Sequence, residues 1–376
     1  MRIKGRKRLI VLATPALLLA GLGASAAGVS AATAKTAPPK AAASGNVSRT
    51  FSKAEQQATT RYWAKHGLSS AKPLPMSVTT SQPARAKSTL PSGTPLAVQP
   101  ARAGATTKAA QVTRQQLAAS PSPQFSSYAY PAPFTRYALF PNSQYNVYPN
   151  DTHGKLYFSQ HLSGGAVGNF VCSGTVVTSA GHWLVETAGH CVANSDTHTF
   201  SYNVQFVPAY RSGTAPFGRW AASAVWTKTA WISSGNLRED RGFIILSKNS
   251  AGALIQNVTG SEGIAFNQGY LQNVVDFGYP AASPFTGETE QLCLASFEEQ
   301  DPFIGGAGSL PWGIGCDQTG GSSGGGWVIR YGPSGGYVNG HNDYKYTSPS
   351  RPLEMFSPYF DNSELSLYNC ATDNVC

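Results

Sequence analysis

The sequence predicts an all-β fold, a barrel or a sandwich, for the later part of the chain, and three observations support this. From about residue 137 onward, short apolar or alternating runs are separated by Gly, Pro, Asn and Ser. Helical periodicity is weak there, apart from a turn near residues 365–368. This region of about 240 residues is large enough to bury a full core. Eight runs are predicted as strands: residues 155–160, 170–178, 182–187, 201–208, 242–247, 274–279, 326–331 and 336–339.

The first residues have the pattern of an export signal. A cluster of Lys and Arg is followed by an apolar run at residues 9–22 and by small residues suited to cleavage at 24–26 and 29–31. Because the apolar run is too short to span a bilayer comfortably, a signal peptide at residues 1–31 is favoured over a membrane anchor. We therefore expect a secreted, extracellular protein with no membrane partner after processing.

Positive charge is concentrated at the start of the chain. The formal net charge is +9, but 18 of the 28 Lys and Arg residues, and one of the 19 acidic residues, lie in residues 1–140. This part therefore carries a net charge of +17, and residues 141–376 carry −8. Since the later part is acidic, nucleic-acid binding loses its main support.

Residues 32–130 have the composition of a segment with little core of its own. They are rich in Ala, Pro, Ser, Thr and Lys and are largely of low complexity. One island, which begins with the capping-box pattern Ser52 to Glu55, predicts a short helix that ends near Gly67. We interpret the region as a pro-segment, with a disordered linker as the alternative. Its positive charge suggests electrostatic docking on the acidic part, where it would assist folding or block a site.

Six cysteines lie in the acidic part, which indicates three disulfides formed in an oxidising compartment. Six cysteines allow 15 pairings, so the residues alone leave the connectivity open. The sequence contains no CxxC pair and no HExxH motif, so it predicts no metal site. The cysteines are Cys172, Cys191, Cys293, Cys316, Cys370 and Cys376.

Three separate motifs contain the residue types that a serine nucleophile needs. A serine hydroxyl needs a base within hydrogen-bond reach, and the base needs an orienting carboxylate. TGGSSGGGW at residues 319–327 offers two adjacent serines among five glycines, TAGHC at 187–191 offers a histidine, and EDRGFIIL at 239–246 offers two acids. They follow one another in the order His, Asp, Ser.

Together with FVCSGTVV at residues 170–177, these motifs resemble the trypsin-like serine peptidases of the chymotrypsin fold. The resemblance is strongest to their secreted bacterial branch, related to the glutamyl endopeptidases, and it covers residues 140–345. It implies a catalytic domain at residues 131–376 with two six-stranded antiparallel β-barrels and an active site in the cleft between them. It also implies a monomeric serine endopeptidase that acts on proteins or peptides through an acyl-enzyme, with no cofactor.

The resemblance implies a role for each motif residue. His190 matches the general base, Asp240 the orienting acid and Ser323 the nucleophile of a GxSGG pattern. The N–H groups of Gly321 and Ser323 would form the oxyanion hole. Glu239 is a rival for Asp240, but the family places the acid directly before a small residue pair and a strand.

The resemblance also implies disulfides between cysteines adjacent in the chain, Cys172 with Cys191, Cys293 with Cys316 and Cys370 with Cys376, although other pairings stay open. Two positions are candidates for the specificity pocket. Asp317 lies six residues before Ser323, where trypsin-like enzymes keep a carboxylate for Arg or Lys. His341 matches, with an offset of one position, the histidine of glutamyl endopeptidases that meets a substrate carboxylate. Aromatic or small-residue cleavage stays open.

A non-catalytic binding protein on the same scaffold is the alternative function, because a fold alone does not fix function. Its signature would be a broken triad, and the three motifs are intact. A surface-binding structural module would need aromatic or repeat arrays, and the sequence has no internal repeat.

Overall fold

The computed structural model describes residues 45–74, 77–79, 93–104, 134–347 and 353–376. All of them belong to the unit Pro39–Cys376. The predicted signal peptide and much of the predicted pro-segment lie outside the described residues. None of the helices in the described part is both long and apolar enough to cross a membrane.

Strands dominate these residues, which confirms the all-β prediction, and the eight predicted runs contain or overlap β6, β7, β8, β11, β13, β15, β18 and β19. The strands are β1 (Asn46–Thr50), β2 (Lys72–Pro73), β3 (Ser77–Val78), β4 (Leu96–Val98), β5 (Thr135–Ala138), β6 (His153–His161), β7 (Val167–Val176), β8 (Leu184–Thr187), β9 (Ala193–Asn194), β10 (Thr199–Phe200), β11 (Tyr202–Pro208), β12 (Trp220–Lys228), β13 (Gly242–Leu246), β14 (Gly263–Phe266), β15 (Asn273–Gly278), β16 (Gln291–Gln300), β17 (Trp312–Gly315), β18 (Gly326–Ile329), β19 (Tyr337–His341), β20 (Lys345–Tyr346) and β21 (Glu354–Ser357). The helices are α1 (Lys53–His66), α2 (Gly189–Val192), α3 (Thr229–Ser234), α4 (Ile255–Thr259) and α5 (Asn362–Asp373).

Six antiparallel strands form a closed barrel in the order β12-β11-β6-β7-β8-β13, and the pairing of β12 with β13 closes it. Inward-facing apolar side chains fill it, as the alternation along each strand predicts. Its interior includes Leu156, Val176, Val185, Phe206, Val225 and Ile244.

The second sheet has the order β21-β17-β16-β15-β18-β19-β14-β4, with β5 also paired to β16. Among the described residues no pairing joins its two ends, so the second of the two expected barrels is an open sheet by hydrogen bonding. At one edge of this sheet, β14 pairs parallel with β19, and β4 pairs antiparallel with the other side of β14. The apolar side chains behind it include Val274, Ile314, Trp327 and Met355.

The described residues between 45 and 104, within the predicted pro-segment, pack on both sheets. β1 pairs antiparallel with β12, β2 parallel with β7, β3 parallel with β20, and β4 antiparallel with β14. The segment buries apolar side chains in cores that are built mainly by the later part of the chain. These side chains are Val47, Phe51, Trp63, Ala97 and Val98. The assignment of this region as a pro-segment stays a prediction, and its composition did not indicate these strand pairings.

Helix α1 begins and ends where the sequence predicts. The Ser52 hydroxyl accepts a hydrogen bond from the Glu55 N–H at 3.3 Å, and the Glu55 carboxylate accepts one from the Ser52 N–H at 2.7 Å. This reciprocal capping box satisfies N–H groups that the first turn leaves without partners. Gly67 ends the helix with a φ of 73°, a conformation that favours glycine.

Trp63 anchors α1 to the first barrel. Its side chain is 1% exposed, its Nε1–H donates to the Asn203 carbonyl at 2.6 Å, and its ring packs against Tyr157. By contrast, Arg49 forms its ion pair with Glu55 inside the segment. Docking of the described part thus relies on strand pairing and apolar burial, which is a different basis from the electrostatic docking expected from the charge distribution.

We expect Trp63→Ala to destabilise the full-length chain by about 3–5 kcal/mol, because the substitution leaves a cavity under a buried aromatic anchor. Urea unfolding in a Ser323→Ala background, which avoids self-cleavage, measures the change. Arg61→Ala is the matched control, since Arg61 is exposed on the same helix. Equal stability of the two variants would contradict the anchoring role of Trp63.

Candidate active site

The structure brings His190 and Asp240 together. His190 Nδ1 lies 2.9 Å from Asp240 Oδ2, and the backbone N–H of His190 donates to Asp240 Oδ1 at 2.6 Å. The side chains are 12% and 1% exposed. The His190 carbonyl in turn accepts from the Gln160 side chain at 2.8 Å. Asp240 therefore fixes both the position of the backbone at His190 and the orientation of its ring.

Local sequence explains this approach. A Cβ at Gly189 would lie 2.7 Å from Asp240 Oδ1, so only glycine lets the carboxylate come this close. The Cys172–Cys191 disulfide ties α2 to β7, and Gly242 of β13 pairs with Thr187 of β8. The structure also contains the pairs Cys293–Cys316 and Cys370–Cys376, the same three pairs that the resemblance implies.

Glu239, the sequence rival of Asp240, has other contacts. Its Oε2 accepts from the Ser363 hydroxyl at 2.6 Å and lies 3.9 Å from Arg241 Nε. Asp240 is thus the one of these two adjacent acids that contacts His190.

The glycine-rich loop carries Ser323 against the strand that precedes His190. Gly321 has a φ of 101°, and a Cβ there would lie 2.9 Å from the Tyr279 carbonyl oxygen. A Cβ at Gly324 would lie 2.7 Å from the Ala188 nitrogen. Gly324 also has a positive φ, 75°, so both positions need glycine for backbone conformation and for close approach. These glycines are the physical reason for the composition of the motif.

Ser173 of β7 holds this loop from the other side. Its N–H donates to the Ser323 carbonyl at 2.7 Å, and its hydroxyl donates to the Gly321 carbonyl at 3.0 Å. Sequence reasoning quoted Ser173 within a motif but gave it no role. Because the two carbonyls are held by β7, the N–H groups of the loop keep a fixed direction, which an oxyanion hole requires. The assignment of the Gly321 and Ser323 N–H groups to that hole stays a prediction.

Ser323 Oγ and His190 Nε2 are both buried, and neither has a hydrogen-bond partner among the described residues. The hydroxyl and the imidazole nitrogen thus lie on neighbouring elements and form no hydrogen bond with each other. Catalytic hydrogen bonds are often long before substrate binds and tighten in the complex.

A second carboxylate, that of Asp343, contacts the same histidine. Its Oδ1 lies 3.4 Å from His190 Nδ1, and its side chain is fully buried. Burial lowers the pKa of His190, whereas the neighbouring Asp240, and Asp343 where it is ionised, raise it. Burial and the charge of Asp240 raise the pKa of Asp343 well above its usual value. Sequence reasoning missed Asp343, although it lies in the GHND stretch that was examined for the pocket.

Asp317, the first candidate for the specificity pocket, is paired with a cation of the protein. Arg136 Nε lies 2.9 Å from Asp317 Oδ2, and the guanidinium stacks over Phe285 at 4.9 Å. Lys345 lies nearby and donates to the carbonyls of Cys316 and Gln318, each at 3.1 Å. Burial lowers the pKa of Lys345 to about 8, against the effect of Asp317 and Asp276.

His341, the second candidate, is fully buried behind Asp240. Its Nδ1 lies 2.6 Å from Glu186 Oε1, and its Nε2 lies 3.1 Å from the Asp240 carbonyl oxygen. Burial lowers its pKa to about 4. Both ring nitrogens have partners inside the fold, and the assignment of His341 to the specificity pocket stays a prediction.

Three groups of residues in the described part have the composition of a metal site. Two of them include cysteines that form disulfides, and such sulfurs are not thiolate ligands. The third is His190, Asp240 and Asp343, in which the histidine already bonds to Asp240. The expectation that the protein uses no metal stays a prediction.

Comparison with known proteins identifies relatives by structure. No protein-family profile and no curated protein matches the chain. The protease Anisep from Arthrobacter nicotinovorans is 37% identical, with a TM-score of 0.55, over 64% of this chain and 100% of its own. The serine protease AL20, from an extremophilic microorganism, is 38% identical, with a TM-score of 0.53, over 59% of this chain and 97% of its own. A Glu endopeptidase aligns with 63% of this chain and 96% of its own at 19% identity and a TM-score of 0.49.

The first two relatives are proteases, and nearly all of each of their chains aligns with this one. Identity at this level, over nearly all of their own length, indicates shared descent and not a likeness of fold alone. Proteins are accordingly the substrates of this chain. It belongs to the serine proteases, as a member of the trypsin-like peptidases with the chymotrypsin fold.

Proposed function

We propose that the chain is a secreted serine endopeptidase, made as a precursor, with Ser323, His190 and Asp240 as its catalytic triad. The observation that carries the proposal is the pair of hydrogen bonds that His190 donates to the buried Asp240 carboxylate, at 2.6 Å and 2.9 Å. That arrangement fixes the histidine with Nε2 free to act on a hydroxyl. The signal peptide predicted for residues 1–31 supports secretion.

In this mechanism Ser323 Oγ attacks the scissile carbonyl carbon and gives its proton to His190 Nε2. His190 passes the proton to the leaving amine as the C–N bond breaks, and an acyl-enzyme remains. Water then gives a proton to His190 and attacks the ester carbon; as the ester C–O bond breaks, His190 returns that proton to Ser323 Oγ, which releases the acid and restores both residues. Asp240 holds the imidazole in the tautomer with hydrogen on Nδ1 and stabilises the imidazolium that forms. The N–H groups of Gly321 and Ser323 stabilise the oxyanion of each tetrahedral intermediate.

The pro-segment crosses the catalytic region in this proposal. β2 pairs with Phe170 and Val171, directly before the Cys172 disulfide, and β3 pairs with Lys345 and Tyr346, just after Asp343. Between them, the Leu74 carbonyl oxygen lies against the loop that carries Ser323. A Cβ at Gly320 would be only 2.7 Å from this oxygen. Ser323 is fully buried in this arrangement. These contacts support a segment that blocks the site until it is removed.

The comparison with Anisep supports removal. About two thirds of this chain spans the whole chain of that crystal structure. The remaining third is close in size to residues 1–130. We therefore propose that the mature enzyme begins between the described residues 104 and 134.

Arg136 bears on substrate choice. Because it already neutralises Asp317, a substrate Arg or Lys would have to displace a charge-assisted hydrogen bond to reach that carboxylate. Specificity for basic residues is therefore not favoured in this proposal, and the residue before each cut is the direct measure.

The activity is tested first by mass spectrometry of the bonds that the secreted protein cuts in a complex peptide mixture. We expect cuts that disappear in Ser323→Ala, because the acyl-enzyme cannot form without the hydroxyl. A shared residue before the cuts defines the pocket, and cuts that do not follow Arg or Lys agree with the pairing of Asp317. If the correctly processed protein makes no cuts, the proposal is wrong, and a binding protein on a protease scaffold is the better explanation.

Two adjacent acids offer a matched test of the triad. Asp240→Asn is expected to lower kcat by about 10⁴-fold, because an amide cannot hold the reactive histidine tautomer. Glu239→Gln is the control and should keep kcat, since Glu239 bonds to Ser363 and not to His190. Steady-state kinetics on a substrate taken from the mapped cuts gives both values. Equal losses in the two variants would overturn the assignment of Asp240.

A peptide of residues 45–104 is expected to inhibit the mature enzyme with little dependence on salt. Its docking relies on apolar burial, so raising NaCl from about 50 to 500 mM should change the inhibition constant less than about threefold. The same peptide with Trp63→Ala should inhibit more weakly, and with Arg61→Ala equally well. Strong weakening by salt would instead support electrostatic docking.

A further inference from the structure

We propose that Asp343 is a second, protonated carboxyl group of the active site and acts as a positioning residue that donates a hydrogen bond to Asp240. The inference rests on the proposed triad and deepens it. Asp343 Oδ1 lies 3.4 Å from His190 Nδ1. A ring nitrogen of His190 and one carboxylate oxygen each of Asp240 and Asp343 all lie within 4.8 Å of one another. Both carboxyl groups are buried.

Two carboxyl groups this close in a buried site do not both ionise readily, because like charges repel and burial penalises each charge. The surroundings decide which one keeps the proton. Asp240 accepts two hydrogen bonds from His190, which favour its ionised form. Neither oxygen of Asp343 has a hydrogen-bond partner among the described residues. The proton therefore belongs on Asp343, where it gives that carboxyl a donor and Asp240 a third partner.

Among the residues that the structure describes, the groups around Asp343 leave it no counter-ion besides His190. His190 of α2 and Asp240, directly before β13, are the charged groups that act on it. Tyr344, its neighbour in the chain, donates its hydroxyl to Asp301 at 2.6 Å, so that hydroxyl is directed elsewhere. From β21, the Phe356 carbonyl accepts the Asp343 N–H at 3.0 Å. An ionised Asp343 would thus have only His190 to pair with.

A neutral Asp343 matters for catalysis because of what an ionised one would do. A second negative charge beside His190 Nδ1 would hold a proton on the imidazole, and an imidazolium cannot accept the proton of Ser323. The neutral acid avoids this effect and still fixes the Asp240 carboxylate plane. It acts on the reaction only through Asp240.

The stability of Asp343→Asn tests the proton without any need for activity. A carboxyl whose pKa is raised in the folded state costs stability once the pH exceeds its unfolded value of about 3.9. Asparagine is neutral at every pH. We therefore expect Asp343→Asn, in the Ser323→Ala background, to have a higher Tm than its parent at pH 8, with the difference vanishing toward pH 4.

Asp196→Asn, at an exposed position, is the control and should show no such pH-dependent gain. A Tm for Asp343→Asn below that of its parent at pH 8, or failure of this variant to fold, overturns the proposal, since either shows that the charge or its pairing was needed. Because this measurement uses an inactive background, it gives a result even where the proposed peptidase activity fails.

The pH dependence of kcat/KM in the mature enzyme, with EDTA present throughout to exclude bound metal, tests the same proton in the active state. The acid limb reports the ionisation of His190. If Asp343 is already neutral, Asp343→Asn leaves the midpoint of this limb within about 0.3 pH unit. Loss of an ionised neighbour would instead lower it by about one unit or more, which would overturn the proposal.

Truncation completes the test. Asp343→Ala removes the donor to Asp240 and is expected to lower kcat roughly tenfold or more with little change in KM, because Asp343 does not touch substrate. Asparagine, which keeps an N–H donor, should recover most of that loss. Equal kcat values for the Ala and Asn variants would remove the hydrogen bond from the proposal. Loss of Ser323-dependent cleavage altogether would count against the proposed function, while the Tm comparison still reports on Asp343.

Discussion

A buried carboxylate that must stay ionised is the constraint on which the site depends. Asp240 has almost no contact with solvent, so protein donors have to replace its hydration, and His190 supplies two of them. Gly189 makes room for this approach. The neighbouring Arg241 is buried as well and pairs with Asp361 at 2.7 Å, just before the C-terminal helix. The side chains of two adjacent residues, Asp240 and Arg241, thus connect the start of β13 with α2 and α5.

Features that depend on local sequence could be predicted. The eight strands with alternating or apolar runs, the Ser52 capping box and the three motifs each depend on residues close together in the chain. The docking of residues 45–104 could not. β4 has only three residues, and its partner β14 lies more than 160 residues later, so neither its length nor its composition indicates a place at the edge of a sheet. Its buried side chains acquire meaning only from cores that other parts of the chain build.

Within the site, the same distinction separates the triad from its surroundings. His190, Asp240 and Ser323 are carried by motifs that resemble those of a known family, and the sequence could therefore predict them as a triad. His341 and Asp343 lie two residues apart at the end of β19, where a shift of one position moves a side chain to the other face of the sheet. This stretch matches the family pattern with an offset of that one position. The sequence therefore did not predict the contact of His341 with Glu186 or that of Asp343 with His190.

Blocking and anchoring by the N-terminal segment involve different residues, and this fits the proposed precursor. The anchors Val47, Phe51 and Trp63 are buried at the first barrel, whereas Leu74 lies against Gly320 of the loop that carries Ser323. The bond between His190 and Asp240 is already formed with the segment in place. Removal of the segment therefore does not have to form this bond. On the proposed mechanism, activation uncovers a site in which the histidine is already oriented, and apolar contacts away from the site set the strength of inhibition.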